Sequence, residues 1–185
     1  MRIGLVSDTH GDTEAWRKAM RLLEGCRMIL HAGDHLYNGA FNPVLPTYNP
    51  AELARLMNES PIPILHARGN CDSEVDQLAI KDPILSPYLW VHVDGLDIMV
   101  VHGHQEEEEE ELARQAAGYG AALLVRGHTH VYGIRRVGEV TVCNPGSPSL
   151  PKGEGVPTVG LLDGKVLSIL ELESGRELLR AEIGA

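Results

Sequence analysis

Cysteine is scarce in this chain of 185 residues. The three present, Cys26, Cys71 and Cys143, are odd in number and show neither paired spacing nor a CxxC, which argues against a disulfide framework and for a reducing cytoplasm. Long apolar runs are missing too. The opening MRIGLVSDTHGD carries an aspartate and a histidine within ten positions and lacks the apolar stretch of a signal peptide or membrane span, so a soluble protein with no membrane partner is expected. Positive charge is also short. Sixteen Lys and Arg face 26 Asp and Glu, six of the latter in the block 106–111, and the net charge of −10 argues against a broad phosphate-backbone-binding surface. No nucleic-acid partner is expected on that ground. An acidic chain can still handle phosphate where bound cations reverse the sign locally.

With 43% hydrophobic residues, the length suffices for one sizeable core and is short for two, so residues 1–185 are expected to form a single domain. Short apolar segments recur and close on the same kind of residue. IGLVSD ends at Asp8, RMILHAGD at Asp34, IPILHARGN at Asn70, LDIMVVHGH at His102 and His104, and AALLVRGHTH at His128 and His130. Such runs, bounded by Gly or Asp, fit strands buried on both faces of a helix-covered sheet.

Helix signals lie between them. Asp12 is a candidate N-cap, with Trp16, Ala19, Met20 and Leu23 on one face. Asn49-Pro50-Ala51-Glu52 combines a cap, a first-position proline and an acidic third residue, followed by Leu53, Leu56 and Met57. A third helix is expected to begin in the Glu run and continue through Leu112, Ala113, Ala116 and Ala117. Beyond residue 130, Gly138-Glu139, Asp163-Gly164 and Ser174-Gly175 mark hairpin turns, implying a second, mostly antiparallel sheet packed on the first. Residues 35–49, rich in Pro and Asn and without periodicity, form a long loop expected to cover the site.

In a mostly parallel sheet, residues at the carboxyl ends of strands converge on one edge. Asp8, His10, Asp34, Asn70, His102, His128 and His130 would then meet, a mixed oxygen and nitrogen set suited to Mn²⁺, Fe²⁺ or Zn²⁺ and not to an all-oxygen Ca²⁺ site. The set is too rich for one ion and fills two sites if Asp34 bridges them. Two ions roughly 3.5–4 Å apart can clamp a phosphate and acidify a bridging water.

The blocks DTH at 8–10, GD at 33–34, GNCD at 69–72, HGH at 102–104 and GHTH at 127–130 resemble, in order and spacing, the calcineurin-like metallophosphoesterases. Within them the chain is most similar to the bacterial YfcE-type phosphodiesterases, through GNCDSEVDQ, the pattern around Asn42 to Glu52, and NPGSPSLPKG at 144–153. The resemblance implies a four-layer α/β/β/α sandwich, an α/β fold of two mixed sheets packed face to face with flanking helices. It assigns Asp8, His10, Asp34 and His130 to one metal and Asp34, Asn70, His102 and His128 to a second. The implied cofactors are two divalent transition-metal ions, Mn²⁺ first, with Fe²⁺, Zn²⁺ or Ni²⁺ as alternatives. The implied reaction is hydrolysis of a small phosphate diester by in-line attack of a metal-bridged hydroxide.

Cys71 stands where much of the superfamily has a histidine that assists the leaving group. A thiol is a weak hydrogen-bonding group, so Cys71 is expected to line the site without ligating metal or forming a covalent intermediate. Besides Asp34 and Asn70, the candidate catalytic residues are therefore Cys71, Asp72 and His104. Asp72 either orients its neighbours by hydrogen bonds or starts a turn, and His104 either supports the ligands from behind or touches substrate, or has no role. His31 and His66 are expected in the core, His92 on an exposed strand face, and His35 on a loop surface or in the site. Arg68 and Arg126 are expected as internal ion-pair partners, Asn144 to Ser147 as a turn, and Cys26 and Cys143 as buried small hydrophobes. A phosphomonoesterase and a non-catalytic scaffold of the same fold are the competing functions. The intact set of seven ligands favours an enzyme, and a homo-oligomer is compatible with the sequence.

Overall fold

The computed structural model describes residues 1–106 and 108–184. Eleven strands and four helices follow in chain order among them. Strands β1 (Arg2–Val6), β2 (Met28–His31) and β3 (Ile64–His66) are parallel and alternate with α1 (Thr13–Leu22) and α2 (Pro50–Asn58). A short α3 (Glu74–Ala79) follows, then β4 (Tyr88–Val93), β5 (Leu96–Val101), α4 (Glu109–Gly118) and β6 (Leu123–Arg126). The chain ends in β7 (Gly133–Val137), β8 (Val140–Asn144), β9 (Thr158–Asp163), β10 (Val166–Glu171) and β11 (Glu177–Glu182).

Two mixed sheets result, one in the order β11-β10-β9-β1-β2-β3 and the other β4-β5-β6-β8-β7. Period-two alternation builds the layers. In β5, Ile98 and Val100 enter a central core with Ile3, Leu5 and Leu30 of the first sheet, whereas Met99 and Val101 face Leu112, Ala113 and Ala116 of α4. In the first sheet, Val6, Ile29 and Ile64 turn outward to Trp16, Ala19, Leu53 and Met57 of α1 and α2. Four layers of α/β/β/α type follow. Gly4 is required where α1 crosses, since a Cβ there would lie 2.5 Å from Ile29 Cδ1 and 2.7 Å from Leu23 Cδ1.

The caps act as their residue types predict. Asp12 accepts from the N–H groups of Glu14 and Ala15, and Asn49 from that of Glu52 with Pro50 at the first turn. Helix α4 begins at Glu109, inside the Glu run, although Ala117 is exposed and Glu107 lies outside the described residues.

The structure corrects the sequence reading in three places. The late hairpins do not make a sheet of their own: β7 and β8 complete the second sheet, in which β5, β6 and β8 run parallel, and β9 to β11 extend the first. The stretch before β5 is not wholly irregular, because β4 pairs antiparallel with β5 and α3 is closed by a Ser73–Asp76 capping box. The candidate ligands leave two facing sheets and not one sheet edge.

Candidate metal centre

Asp8, His10, Asp34 and Asn70 follow β1, β2 and β3 of the first sheet, whereas His102, His128 and His130 follow β5 and β6 of the second. The corners that carry them are sharply bent. Of the six non-glycine residues with positive φ among those described, five are Asp8, His10, Asp34, His128 and His130, with φ between 44° and 71°. Asp and His tolerate this region better than most residues, yet each such backbone costs on the order of 1–3 kcal/mol, and strain of that kind concentrates at functional sites. Glycines let the corners touch. A Cβ on Gly69 would lie 2.1 Å from Asp34 Oδ1 and one on Gly127 would lie 1.9 Å from Ser7 Oγ.

Two groups of ligand atoms form around a shared pair of carboxylates. Asp8 Oδ1 lies 3.3 Å from His130 Nε2 and 3.8 Å from His10 Nε2, and those two nitrogens are 3.2 Å apart. Asp34 divides its oxygens, with Oδ2 3.6 Å from His10 Nε2 and Oδ1 3.3 Å from His102 Nε2. His102 Nε2 is also 3.1 Å from Asn70 Oδ1 and 3.9 Å from Asp8 Oδ1. His128 is half-buried, its ring edge-on to His102 at 5.2 Å between centroids, and its backbone N–H donates to Asp8 Oδ2 at 3.1 Å. All seven residues thus reach one place, His128 through its backbone and ring contact.

Three imidazoles are held in one tautomer. The Nδ1–H groups of His10, His130 and His102 donate to the carbonyls of Tyr37, Leu150 and Ala32 at 2.7, 2.6 and 2.8 Å. With Nδ1–H committed in this way, each ring has Nε2 facing inward, free to offer a lone pair to an ion that displaces any proton there, the arrangement typical of metal-ligating histidine. Two such lone pairs 3.2 Å apart repel unless a cation or proton lies between them. Asp8 Oδ1 is buried there and has no hydrogen-bond partner among the described residues. An orphaned carboxylate oxygen among convergent lone pairs is what a divalent ion would satisfy, so the residues fit the metal that the sequence implies.

Electrostatics agree. Burial alone would raise the Asp8 and Asp34 carboxyls, but neighbouring imidazoles outweigh it, lowering Asp8 and taking Asp34 to about 2. Burial would lower His102, yet the Asp34 hydrogen bond and the Asp8 and Asp34 charges carry it up to about 9.

Polar braces fix the corners from behind. Buried Asp72 accepts from the N–H groups of Asp34, His35 and Gly69 at 3.0, 2.8 and 2.7 Å, which ties the GD corner to the GN corner and decides between the two roles open in the sequence. Ser147 and Ser149 hydroxyls donate to the Asp8 carbonyl at 2.7 and 2.9 Å, and Asn144 Nδ2 donates to Gly127 O at 3.0 Å. Sequence reasoning saw a turn at 144–147 and missed these braces; the signal was a cluster of small polar residues directly after a buried strand.

His35 is not on a surface. It is fully buried, with Nδ1 2.8 Å from Asp72 Oδ2, Nε2 2.9 Å from His66 Nδ1, and its ring stacked on His31 at 4.1 Å. His31 and His66 are buried and hydrogen-bonded as expected, His31 to Thr9 and the Gly33 N–H. Arg68 donates to the Asp72 carbonyl at 3.3 Å, Arg126 is buried 4.0 Å from Glu109, and His92 is exposed on β4. Cys26 and Cys143 are buried.

Cys71 lies half-buried at the edge of the cluster, its Sγ in one group with His10 and Asp34 ligand atoms that all fall within 4.8 Å of one another. Its N–H donates to Asp34 Oδ1 at 2.9 Å. Burial first, then the Asp34 charge, pushes the thiol well above its ordinary value and keeps it neutral. His104 is half-buried beside His102 and His128, and its Nδ1 has no partner among the described residues.

Comparison with known proteins bears on this geometry. The calcineurin-like phosphoesterase superfamily domain matches residues 1–165. The chain is 35% identical over 174 residues to phosphodiesterase YfcE of Escherichia coli strain K12, covering 93% of this chain and 92% of that protein. It is 29% identical over 171 residues to phosphodiesterase MJ0936 of Methanocaldococcus jannaschii, covering 88% and 93%. The solved structure of the E. coli phosphoesterase YfcE superposes with a TM-score of 0.87 at 31% identity over 99% of this chain and 100% of that one. Vps29 of Entamoeba histolytica in complex with zinc shares the fold, with a TM-score of 0.68 at 20% identity over 98% and 99%. By sequence along most of its length and by its fold, the chain belongs to the calcineurin-like phosphoesterase superfamily.

Proposed function

We propose that this protein hydrolyses a small phosphate diester at a centre of two divalent transition-metal ions. The observation that carries the reading is the division of Asp34, one oxygen toward His10 and the other toward His102, beside the orphaned Asp8 Oδ1. Asp8, His10, Asp34 and His130 would hold one ion and Asp34, Asn70, His102 and His128 the other, with Mn²⁺ first and Fe²⁺, Zn²⁺ or Ni²⁺ as alternatives. Such ions, when bound, supply Lewis-acid charge for phosphoryl oxygens and a nucleophile from water near neutral pH.

The chain's own residues do the positioning. Backbone carbonyls hold the imidazoles, Asp72 and the two serines hold the corners, and His104 adds a polar edge beside His102 and His128. One water is consumed. Its oxygen gives up one proton to solvent and bonds to phosphorus in line with the departing ester oxygen, which leaves with the electron pair of the broken bond and takes a proton from solvent. Cys71, a thiol and so a weak hydrogen-bond donor, is a poor source of that proton, which favours substrates with good leaving groups.

The charge balance supports a diester over a monoester. A cleft beside His128 gathers Arg126, Arg135 and Lys152, but Glu108, Glu109 and Glu110 line it as well, with Arg135 paired to Glu109 at 2.8 Å and Glu110 at 2.6 Å. The net charge of −10 likewise favours a small ester over a nucleic-acid backbone. No helix among the described residues is long and apolar enough to cross a membrane, and three free thiols suit a reducing cytoplasm.

The test is hydrolysis of bis(4-nitrophenyl) phosphate beside 4-nitrophenyl phosphate by metal-stripped protein, with Mn²⁺, Zn²⁺, Mg²⁺ or nothing added. Diester turnover only with a transition metal is the expected result. Preferred turnover of the monoester would make the protein a monoesterase, and no turnover of either by folded, metal-loaded protein would favour the scaffold.

A further inference from the structure

Three histidines meet beneath the corners that carry the candidate ligands of the first sheet. The parallel register of β2 and β3 sets His31 directly beside His66, the last residue of each strand, and the loop after β2 drops His35 between them. The His35 ring stacks on His31 at 4.1 Å between centroids and tilts against His66 at 4.9 Å, and all three rings are buried. Burying an imidazole costs free energy unless it is hydrogen-bonded, and apolar side chains would fill this space without that cost. The bonds the rings make therefore carry their meaning.

Those bonds run to the corners. The Gly33 N–H donates to His31 Nδ1 at 3.2 Å, and the Thr9 hydroxyl gives its one proton to His35 O at 2.9 Å, so His31 Nε2 carries the proton that bonds Thr9 Oγ1 at 3.1 Å. One tautomer thus links the corner after β1 to the corner after β2. His35 continues the chain, with Nδ1 2.8 Å from Asp72 Oδ2 and Nε2 2.9 Å from His66 Nδ1. Asp72 in turn holds the N–H groups of Asp34 and of Gly69, which directly precedes Asn70. His66 Nε2 has no partner among the described residues, so the one hydrogen bond of that ring goes to His35.

We infer that His35 and His66 are positioning residues that act through Asp72 to set Asp34 against Asn70, and with them the affinity of the ion those two would hold with His102 and His128. The inference rests on the two-ion reading of the centre and adds residues that are not themselves ligands. Buried polar networks rigidify what they brace, and outer partners of ligands typically tune metal affinity about 10–100-fold. The ion of Asp8, His10 and His130 should feel the change less. Its ligands are held from other directions, by the carbonyls of Tyr37 and Leu150 and the hydroxyls of Ser147 and Ser149.

The test is calorimetric titration of stripped, folded protein with Mn²⁺, which needs no turnover. In His66→Leu one of the two ions should bind about tenfold more weakly, and His66→Asn, whose amide can donate or accept near the former Nδ1, should recover most of that loss. In an Asn70→Ala background, which keeps the first site alone, His66→Leu should change the remaining affinity by less than about twofold. His66→Met, a more pliant apolar replacement, carries the same prediction should the Leu variant not fold. Unchanged affinity for both ions, equal weakening of both, or a loss that His66→Asn does not recover would overturn the inference. A single ion in wild type would count against the two-ion centre and not against the positioning role, which the same loss and recovery then decide on that ion. No ion bound by wild type would overturn both.

Discussion

Asp34 turns its two oxygens to different imidazoles, and the proposed pair of metal sites rests on that division. Asp34→Asn removes the charge and puts an NH₂ that cannot ligate where one of the two carboxylate oxygens stood, so Mn²⁺ affinity should fall more than about 100-fold, beyond the 10–100-fold typical of outer-shell changes, with the melting temperature of the stripped protein little altered. Asp72→Asn is an outer-shell change: it sets an amide against three backbone donors and should cost about 2–3 kcal/mol in a urea melt and about 10–100-fold in metal affinity. The buried histidines set an acid limit. Burial lowers His31 well below its ordinary value and His66 to about 2, so the folded state resists protons that the unfolded chain accepts below about pH 6.5. Stability is whole above that pH and should fall as pH drops from about 6.5 toward 4, by about 1.4 kcal/mol per unit for each such group. His102, whose folded value is raised to about 9, gains its stabilisation between about pH 9 and 6.5 and leaves the acid slope unchanged. Urea midpoints between pH 4 and 7 check this, and His66→Gln should remove part of the slope. At this scale the sequence was most legible where strand ends carried ligands. His35 was not, because nothing local distinguishes a loop histidine from one drawn inward by Asp72, which is 37 positions away.

Strand-to-loop corners are the elements that assemble the centre, and their glycines decide how near they come. Gly69→Ala would drive a Cβ into Asp34 Oδ1 and its backbone nitrogen, so metal affinity should drop sharply while the far-ultraviolet spectrum persists. Gly118→Ala, near the end of α4 with open space around it, should leave metal binding unchanged and raise stability by about 0.4–1 kcal/mol. The periodicity of α1, α2 and α4 could be read directly, because each buries one stripe. Helix α3 escaped notice because it buries no residue and so carries no amphipathic pattern; only Ser73 and Asp76 signalled it. Strand β4 escaped because it is an edge strand with mostly exposed or half-buried residues.

Across the whole molecule, the fold brings two sheets face to face so that the carboxyl ends of β1, β2 and β3 meet those of β5 and β6. Which sheet each late strand joins depends on long-range pairing between β9 and β1 and between β8 and β6, and hairpin turns alone do not specify it. That misreading did not touch the convergence of the seven candidate residues, which motif order had picked out, whereas the braces at Asn144, Ser147 and Ser149 became visible only with the chain folded. Ion binding should stabilise the entire structure, by about 3–4 kcal/mol at 100 to 1,000 times the dissociation constant, readable as a higher melting temperature with added Mn²⁺. The most direct test of the two-ion centre is the stoichiometry of Mn²⁺ bound to stripped protein, measured by calorimetry beside elemental analysis, in wild type and in Asn70→Ala. Two ions per wild-type chain and one in the variant are predicted. A single ion in wild type, or two retained in Asn70→Ala, would contradict the assignment.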